Sequence, residues 1–237
     1  YSIGYYLNHK EHGIGFSFET YYKQAENIVE YKDGADFLES PYAERTVLQG
    51  IQSAYGVEFM LSKNSGKLTG WISYAYSRSI IKVDGENSWD KINGGKSYAA
   101  NYDKPNVFNL VASYRINRRL SLSTNFAYST GRPLTLPQNV FYASGIPFIE
   151  YSARNEYRIP NYFRMDISVT VDGNLKRNKL SHSYWVFSVY NLTGRKNPTS
   201  VYFLSENRRL FGYQYSVIGV PIPTITWNFK LGNYANN

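Results

Sequence analysis

Apolar and polar residues alternate along this chain from one end to the other, in stretches that are unusually long for β-strands. The clearest example is the segment 120–128, which places polar side chains at Ser121, Ser123 and Asn125 between apolar ones. The apolar side chains of that segment are Leu120, Leu122, Phe126 and Tyr128. Because successive side chains of a strand point to opposite faces, this period predicts strands with one apolar and one polar face.

The same alternation predicts nine strands in all. They lie at about 1–8, 14–29, 48–62, 68–81, 106–116, 120–128, 163–172, 182–191 and 220–231. A strand of a water-soluble protein usually has ~5–6 residues, whereas a tilted strand needs ~9–11 to cross a bilayer. Most of the nine reach that length, so the pattern predicts an all-β fold, a transmembrane antiparallel β-barrel.

Aromatic residues support a boundary between water and hydrocarbon. The chain has 24 Tyr and 17% aromatic residues, although its mean hydropathy is −0.45. Rings lie toward the ends of the predicted apolar faces, at Tyr74, Tyr76, Tyr114, Tyr128 and Trp227 with Phe229. Such positions are typical of the aromatic girdles of membrane barrels. No apolar run approaches the ~18 residues of a membrane-spanning helix, so a helical membrane protein is not predicted.

The connections between the predicted strands alternate between short and long. The short ones lie near 9–13, 63–67, 117–119 and 173–181, and the long ones near 30–47, 82–105, 131–161 and 192–219. Membrane barrels have short periplasmic turns and long extracellular loops, so the alternation assigns a side to each end of the sheet.

Much of the net charge of +8 falls in the short turns. The cations there are Lys10, Lys63, Lys67, Arg118, Arg119, Lys176, Arg177 and Lys179. A rim of this charge suits the anionic headgroups of outer-membrane lipid, and we expect no nucleic-acid partner.

The strand count carries an expectation about completeness. Following the alternation back from a periplasmic carboxyl terminus, the first of nine strands begins outside the membrane. A closed single-chain barrel has an even number of strands, so we expect further strands before residue 1. The predicted organisation is therefore a carboxy-terminal part of a barrel at 1–231 and a short polar tail at 232–237.

Four segments resemble the end of a TonB-dependent outer-membrane receptor. Ser129-Thr-Gly-Arg-Pro133 resembles the strand end that opens a long external loop. Segment 158–166, Arg-Ile-Pro-Asn-Tyr-Phe-Arg-Met-Asp, resembles the family's Arg-x-Pro-x-Tyr-x-Arg-x-Asp motif. Segments 189–197 and 223–231 resemble the penultimate and closing strands.

The resemblance implies a 22-stranded barrel with an amino-terminal plug domain, in the outer membrane of a Gram-negative bacterium. It implies active import of a large or scarce nutrient, such as an iron chelate, cobalamin, a glycan or a peptide. The implied partners are the TonB complex, reached through an amino-terminal region, outer-membrane lipid, and a surface lipoprotein that caps the barrel. No cofactor is implied.

Catalytic chemistry is not predicted. The chain has no Cys and three His, at His9, His12 and His182, all in or beside predicted short turns. The His-x-x-His pair at 9 and 12 is a possible metal ligand pair, but a solvated turn is the simpler reading. We therefore predict no catalytic residue, no metal site and no enzymatic activity.

Candidate recognition residues lie in the predicted long loops. Aromatic and arginine side chains dominate binding surfaces, and rings suit stacking on sugars or planar chelates. The candidates are Trp89, Tyr98, Tyr102, Phe141, Tyr142, Phe148, Tyr151, Arg208, Arg209, Phe211 and Tyr213. The alternative is that these rings pack the loops against one another. Arg164 and Asp166 are predicted to face the lumen, because charge toward lipid is costly.

Two other classes of protein remain open from the sequence. The first is a self-contained outer-membrane channel or adhesin of about ten strands and without a plug, with both termini on one side. The second is a soluble β-sandwich or sugar-binding module, for which shorter strands and less regular connections would be expected.

Overall fold

A computed structural model describes residues 1–33, 43–144, 146–173, 181–206 and 209–231. The strands are β1 Ser2–His9, β2 Ile14–Tyr31, β3 Val47–Lys63, β4 Leu68–Lys82, β5 Tyr98–Ala99, β6 Asn106–Arg115, β7 Leu120–Ser129, β8 Pro133–Leu134, β9 Pro137–Ala143, β10 Ile146–Tyr151, β11 Tyr157–Arg158, β12 Tyr162–Asp172, β13 Ser181–Tyr190, β14 Ser200–Glu206, β15 Arg209–Tyr215 and β16 Ile222–Leu231. Single 3₁₀ turns occupy Ala43–Arg45, Ser88–Asp90 and Asn93–Gly95. Within the described ranges, no helix is long and apolar enough to span a membrane.

One antiparallel sheet contains all nine predicted strands. Its order is β1, β2, β3, β4, β6, β7, β12, β13 and β16, and β5 pairs with β4 beyond the end of β6. Long strands that follow one another in the chain are therefore neighbours in the sheet, as in an up-and-down barrel. The sheet is open, because β1 and β16 each pair on one side only in the described part of the chain. The prediction of an all-β antiparallel barrel wall is confirmed.

Cross-strand register aligns the apolar side chains into one continuous face. Phe18 lies opposite Phe59, which lies opposite Tyr74. The same row continues through Phe108, Tyr128 and Phe163. Aromatic rings contact across strands, with centroids 5.5 Å apart for Phe108 and Phe126 and 5.0 Å apart for Phe126 and Phe163. We call this the apolar face.

The opposite face is lined by hydroxyl, amide and charged groups, and we call it the polar face. One row of hydroxyls crosses six neighbouring strands, at Thr69, Ser113, Ser123, Ser168, Ser188 and Thr224. The Ser123 hydroxyl donates to that of Ser113 at 3.0 Å. The Ser188 and Thr224 hydroxyl oxygens are 2.5 Å apart. Hydroxyl groups in this row therefore form hydrogen bonds with one another across neighbouring strands.

The strands differ in length in a way that follows their position in the sheet. β2, β3 and β4 have 18, 17 and 15 residues. The strands of the main sheet from β6 onward, which are β6, β7, β12, β13 and β16, have 10 or 11. The extra residues all lie at the end of the sheet that carries the long connections, where β2 contains an irregularity between Ala25 and Ile28.

Short connections join the strands at the other end, as predicted. In the turn 116–119, the Asn117 side chain accepts hydrogen bonds from the backbone N–H groups of Arg119 and Leu120 at 2.8 and 2.9 Å. The Arg119 guanidinium donates to the Gly173 carbonyl at 2.8 Å and so links neighbouring turns. The predicted rim cations Lys176, Arg177 and Lys179, and the predicted tail 232–237, lie outside the described residues.

The long connections contain ordered strands that the alternation did not predict. β9 and β10 form one hairpin, β14 and β15 form another, and β8 pairs with β11. These are separate small sheets and do not extend the main one. The hairpin strands β9 and β15 contact each other, so the two hairpins stand side by side.

Candidate functional site

The connection 83–105 folds back onto the ends of β3 and β4. Its backbone continues the sheet, because the Ala100 N–H donates to the Ser79 carbonyl at 2.9 Å and β5 pairs with β4. A small core forms beneath it from Leu48, Ile81, Val83, Ile92, Tyr98 and Ala100. The Tyr98 ring is only 6% exposed, and burial raises the pKa of its hydroxyl.

A buried carboxylate joins this connection to the next one. Asp103 is 2% exposed, and its carboxylate accepts the Ser79 N–H at 2.7 Å. Arg158 donates to the same carboxylate and Arg78 lies 3.6 Å from it. Arg158 also donates to the carbonyls of Asp103 and Gly131 at 2.8 and 2.9 Å. A buried charge of this kind is tolerated only when it is paired and hydrogen-bonded, as here.

The Thr-Gly-Arg-Pro motif has a steric reason for its glycine. A Cβ at Gly131 would overlap the carbonyl oxygen of Ile159. The Gly131 N–H donates to the Asn161 side chain at 3.1 Å, and the Ile159 N–H donates to the Arg132 carbonyl at 3.0 Å. The backbone leaving β7 therefore lies directly against the backbone returning to β12.

Arg154 fixes the far part of the connection 130–161. Its guanidinium forms ion pairs with Glu30 at 3.2 Å and Asp33 at 2.5 Å, at the end of β2. Its backbone N–H donates to the Asn93 side chain at 2.7 Å. The Asn155 side chain donates to the Ala99 carbonyl at 2.8 Å. Three long connections are thus tied into one assembly at this end of the sheet.

β13 pairs with β12 only from Ile167 onward, and the segment after β13 lies beside the first residues of β12. Asn191 adopts a left-handed conformation with φ 51°, and its N–H donates to the Asp166 carboxylate at 2.9 Å. The Asn197 side chain both accepts from the Phe163 N–H and donates to its carbonyl, at 3.0 and 2.7 Å. The Asn197 amide therefore makes the two hydrogen bonds that the backbone of a neighbouring strand would make to Phe163.

Arg164 and Asp166 lie together on the polar face. Their side chains pair at 3.1 Å. The Arg164 guanidinium donates to the Tyr190 hydroxyl at 2.8 Å and lies 4.6 Å from that ring's centroid. The Asn125 side chain donates to Asp166 at 3.3 Å. These contacts bind three strands together: β7, β12 and β13.

A cavity of about 470 Å³ opens on the polar face where β6, β7 and β12 meet the long connections. Strand residues Asn109 and Ser129 line one side, and Arg132, Pro160 and Asn197 line the other. A smaller cavity of about 130 Å³ adjoins it. Both are lined by Tyr162, Asn197 and Thr199, and the smaller one also by Arg164 and Tyr190.

Most of the predicted recognition residues lie on the exposed surface of the long connections. Phe141 stacks on Phe148 across the β9–β10 hairpin with centroids 5.5 Å apart. Tyr213 stacks in the same way on Tyr202 in the β14–β15 hairpin, also at 5.5 Å. The exposed members of the predicted set are Trp89, Tyr102, Phe141, Tyr142, Phe148, Tyr151, Arg209, Phe211 and Tyr213.

One predicted recognition residue is buried, and another lies outside the described residues. Tyr98 is part of the small core under the connection 83–105, so its ring is not accessible to a ligand outside. Arg208 lies outside the described residues. Tyr102 is accessible but its hydroxyl accepts from the Gln52 side chain at 2.5 Å, which fixes it near β3.

Sequence reasoning did not select the residues that line the larger cavity. Arg132 had a signal, because it follows Gly131 in the motif that leaves β7. Tyr162 and Asn197 lie in the segments 158–166 and 189–197 that resemble family motifs, but those motifs did not mark them as cavity residues. Lys104 had no signal, since a lysine in a long connection is usually a solvated surface residue.

Metal and catalytic groups are not assembled in the described part of the chain. The His9 and His12 rings stack with centroids 4.6 Å apart in the first short turn. No group of three or more His, Cys, Asp or Glu side chains that could hold a metal ion occurs among the described residues.

The architecture defines a class of structure: an open stretch of antiparallel barrel wall, with one apolar face, one polar face, and all long connections at one end. The chain is similar in fold to the crystal structure of the ferric-catecholate import receptor Fiu from Escherichia coli K12 in its closed form, with a TM-score of 0.54 and 16% sequence identity. The match covers 96% of this chain and 26% of that receptor. No protein-family model matches the chain. No curated protein sequence matches it either.

Proposed function

We propose that this chain forms part of the barrel wall of a TonB-dependent receptor that imports a large or scarce nutrient across the outer membrane of a Gram-negative bacterium. The observation that carries the proposal is the apolar face, which continues in register across nine strands while every long connection lies at one end. A face of that extent suits acyl chains, since water-soluble proteins rarely expose such large apolar patches.

Each part of the sheet then has a side. The apolar face contacts lipid, the polar face lines the lumen, the short turns lie in the periplasm and the long connections lie outside. Arg164 and Asp166 are lumen-facing in this arrangement, consistent with their pairing on the polar face. The cationic short turns contact anionic headgroups.

Transport in this proposal involves no covalent chemistry by the chain. Cargo binds from outside between the long connections, and the TonB complex, acting through an amino-terminal region, opens the path. The fold likeness to a ferric-catecholate import receptor supports the transport class. An iron chelate, cobalamin, a glycan or a peptide fits the proposal equally, and a capping surface lipoprotein remains an expectation from the resemblance.

The test is uptake by cells with and without the protein. A deletion strain is compared with its parent and with the complemented deletion strain. Growth is measured on limiting iron chelates, cobalamin, glycans or peptides as the only source of the nutrient. We expect loss of growth on one class, and the same loss when TonB is deleted. Growth that requires this protein but persists without TonB would contradict active import. It would favour the self-contained channel, which purified protein would reveal as a steady current in a planar bilayer.

A further inference from the structure

The larger cavity is lined by two cationic residues that lack acidic partners among the described residues. Two other arginines of the long connections have acidic partners: Arg154 pairs with Glu30 and Asp33, and Arg158 pairs with Asp103. In contrast, the side chains of Lys104 and Arg132, which line the cavity, make no hydrogen bond or ion pair within the described residues.

The rest of the lining does not neutralise these two cations. Among the described residues that line the two adjoining cavities there is no Asp or Glu. A concave site lined by one sign of charge focuses the field and attracts ligands of the opposite sign. The third cation nearby, Arg164 in the smaller cavity, is already paired with Asp166.

Neutral groups in the lining complete a small-molecule site. The side chains of Asn109 and Ser129 make no hydrogen bond to other described residues, so they can bind a ligand. Val107, Ile159 and Pro160 supply apolar wall. A volume of about 470 Å³ is within the usual range for small-ligand pockets and too small for a folded domain.

We propose that this cavity binds a compact organic anion through Lys104 and Arg132, and that the imported cargo presents such an anionic group to the lumen side of the wall. The statement about cargo rests on the proposed function, whereas the anion site itself does not depend on transport. Arg132 supplies a planar fork that suits carboxylate or phosphate oxygens, and Lys104 supplies a point charge.

The chain contains no Cys, which permits a direct chemical test. Ser129 is replaced by Cys in the protein at its full natural length, with any cysteines outside this chain changed to serine. The protein is purified in a non-ionic detergent. Rates of labelling are compared for a sulfonate and a trimethylammonium methanethiosulfonate of similar size. Because two unneutralised cations line the site, we expect the anionic reagent to react about tenfold faster relative to its rate with a free thiol.

Charge-removing variants identify the source of that preference. Lys104→Gln together with Arg132→Gln, in the Ser129→Cys background, should abolish it. Lys67→Gln, which removes an exposed cation from a short turn at the opposite end, should leave it unchanged. Equal preferences in all three proteins would overturn the assignment of the site to Lys104 and Arg132.

Ligand binding is then measured by protection. Citrate is the probe, a neutral methanethiosulfonate is the label, and sodium chloride keeps the ionic strength constant. We expect citrate to slow labelling of Ser129→Cys several-fold, and not in the double glutamine variant. Absence of protection by citrate would overturn the anion site. A thiol that reacts with none of the reagents would show that another segment of the protein fills the cavity, which also overturns it.

The two proposals fail separately. Labelling and protection are properties of the purified protein and need neither TonB nor a growing cell. If the labelling preference is observed but uptake does not require TonB, the anion site stands and active import is contradicted. If uptake requires TonB but no labelling preference is observed, active import stands and the anion site is contradicted.

Discussion

Asp103 connects two long connections through a single carboxylate. Its oxygens accept from the Ser79 backbone and from Arg158, with Arg78 close by. Removing one partner of a buried ion pair leaves the other charge without compensation. The residue therefore controls whether the connection 83–105 stays closed on the ends of β3 and β4.

The first prediction concerns the Asp103→Asn substitution. We expect the closed connection to lose roughly 3 kcal/mol, since a buried charge partner is removed. That corresponds to about a hundredfold larger open population, measured as the rate at which trypsin added to whole cells cuts at Lys91 or Lys96. The matched control is Asp84→Asn, because the exposed Asp84 also has two cationic partners, Lys82 and Lys91. It should be cut at the wild-type rate, and equal rates for both variants would contradict the role of Asp103.

The second prediction separates the ring of Tyr98 from its hydroxyl. The hydroxyl is buried and makes no hydrogen bond of normal geometry within the described residues, although the Arg154 guanidinium lies close to it. A buried unsatisfied polar group is destabilising, so Tyr98→Phe should leave the connection equally stable or up to ~1 kcal/mol more stable. Tyr98→Ala should destabilise it by roughly 3 kcal/mol through the cavity left in the small core. The same trypsin assay measures both, and a destabilised Tyr98→Phe would show that the hydroxyl has a role.

The site could be predicted only in part at the scale of single residues. Rings such as Phe141 and Tyr213 were proposed from residue type alone; they are exposed, and their role in recognition stays a prediction. The Asp103–Arg158 pair was not, because the two positions are 55 residues apart and nothing local indicates their contact. Arg164 and Asp166 could be expected on one face because their spacing of two is a local property of a strand.

At the scale of the strand, the two faces make a sharp prediction with neighbouring residues. Ile167 is on the apolar face and Ser168 on the polar face near the middle of β12. Arginine at a lipid-facing midplane position costs ~2–4 kcal/mol, so Ile167→Arg should impair membrane assembly. Ser168→Arg should be tolerated, since it enters a row of hydroxyls that faces the lumen.

Assembly is measured as the fraction of protein that keeps its folded mobility in unheated detergent gels. The wild type and Ser168→Arg should give similar folded fractions, with Ile167→Arg clearly lower. A reversed order of the two variants would mean that the faces have been assigned to the wrong sides.

The nine wall strands were predicted because their alternation is local and repeated. The hairpins β9–β10 and β14–β15 were not, since they expose residues on both faces and so show no clean alternation. In β15, for example, Phe211 and Tyr213 are exposed on one face and Gln214 is exposed on the other. The 191–197 segment beside β12 was also beyond prediction, because its pairing uses the Asn197 side chain in place of a backbone.

At the scale of the whole molecule, the extent of the apolar face predicts its solution behaviour. It spans nine strands, and its exposed rings include Tyr5, Phe18, Tyr74 and Trp227. We expect the purified protein to show a β-rich circular dichroism spectrum in detergent and to precipitate when detergent is removed. A monodisperse protein in plain buffer would contradict the lipid-facing assignment and favour the soluble sandwich.

The overall architecture followed from the sequence more fully than any site did. Strand length, alternation and the order of short and long connections together allow few arrangements other than an up-and-down wall. The identity of the cargo does not follow in the same way, because recognition depends on side chains brought together from distant segments, such as Lys104, Arg132 and Asn197.

The unequal strand lengths have a mechanical consequence for the mouth of the pore. On the side of β2, β3 and β4 the wall rises as one hydrogen-bonded sheet, by up to eight residues or roughly 20 Å more than its neighbours. On the side of β7 to β16 the wall strands are shorter, and the long connections contain two hairpins that share no hydrogen-bonded ladder with the wall within the described residues. One flank is therefore stiff and the other compliant, so changes in aperture should be confined to the compliant flank.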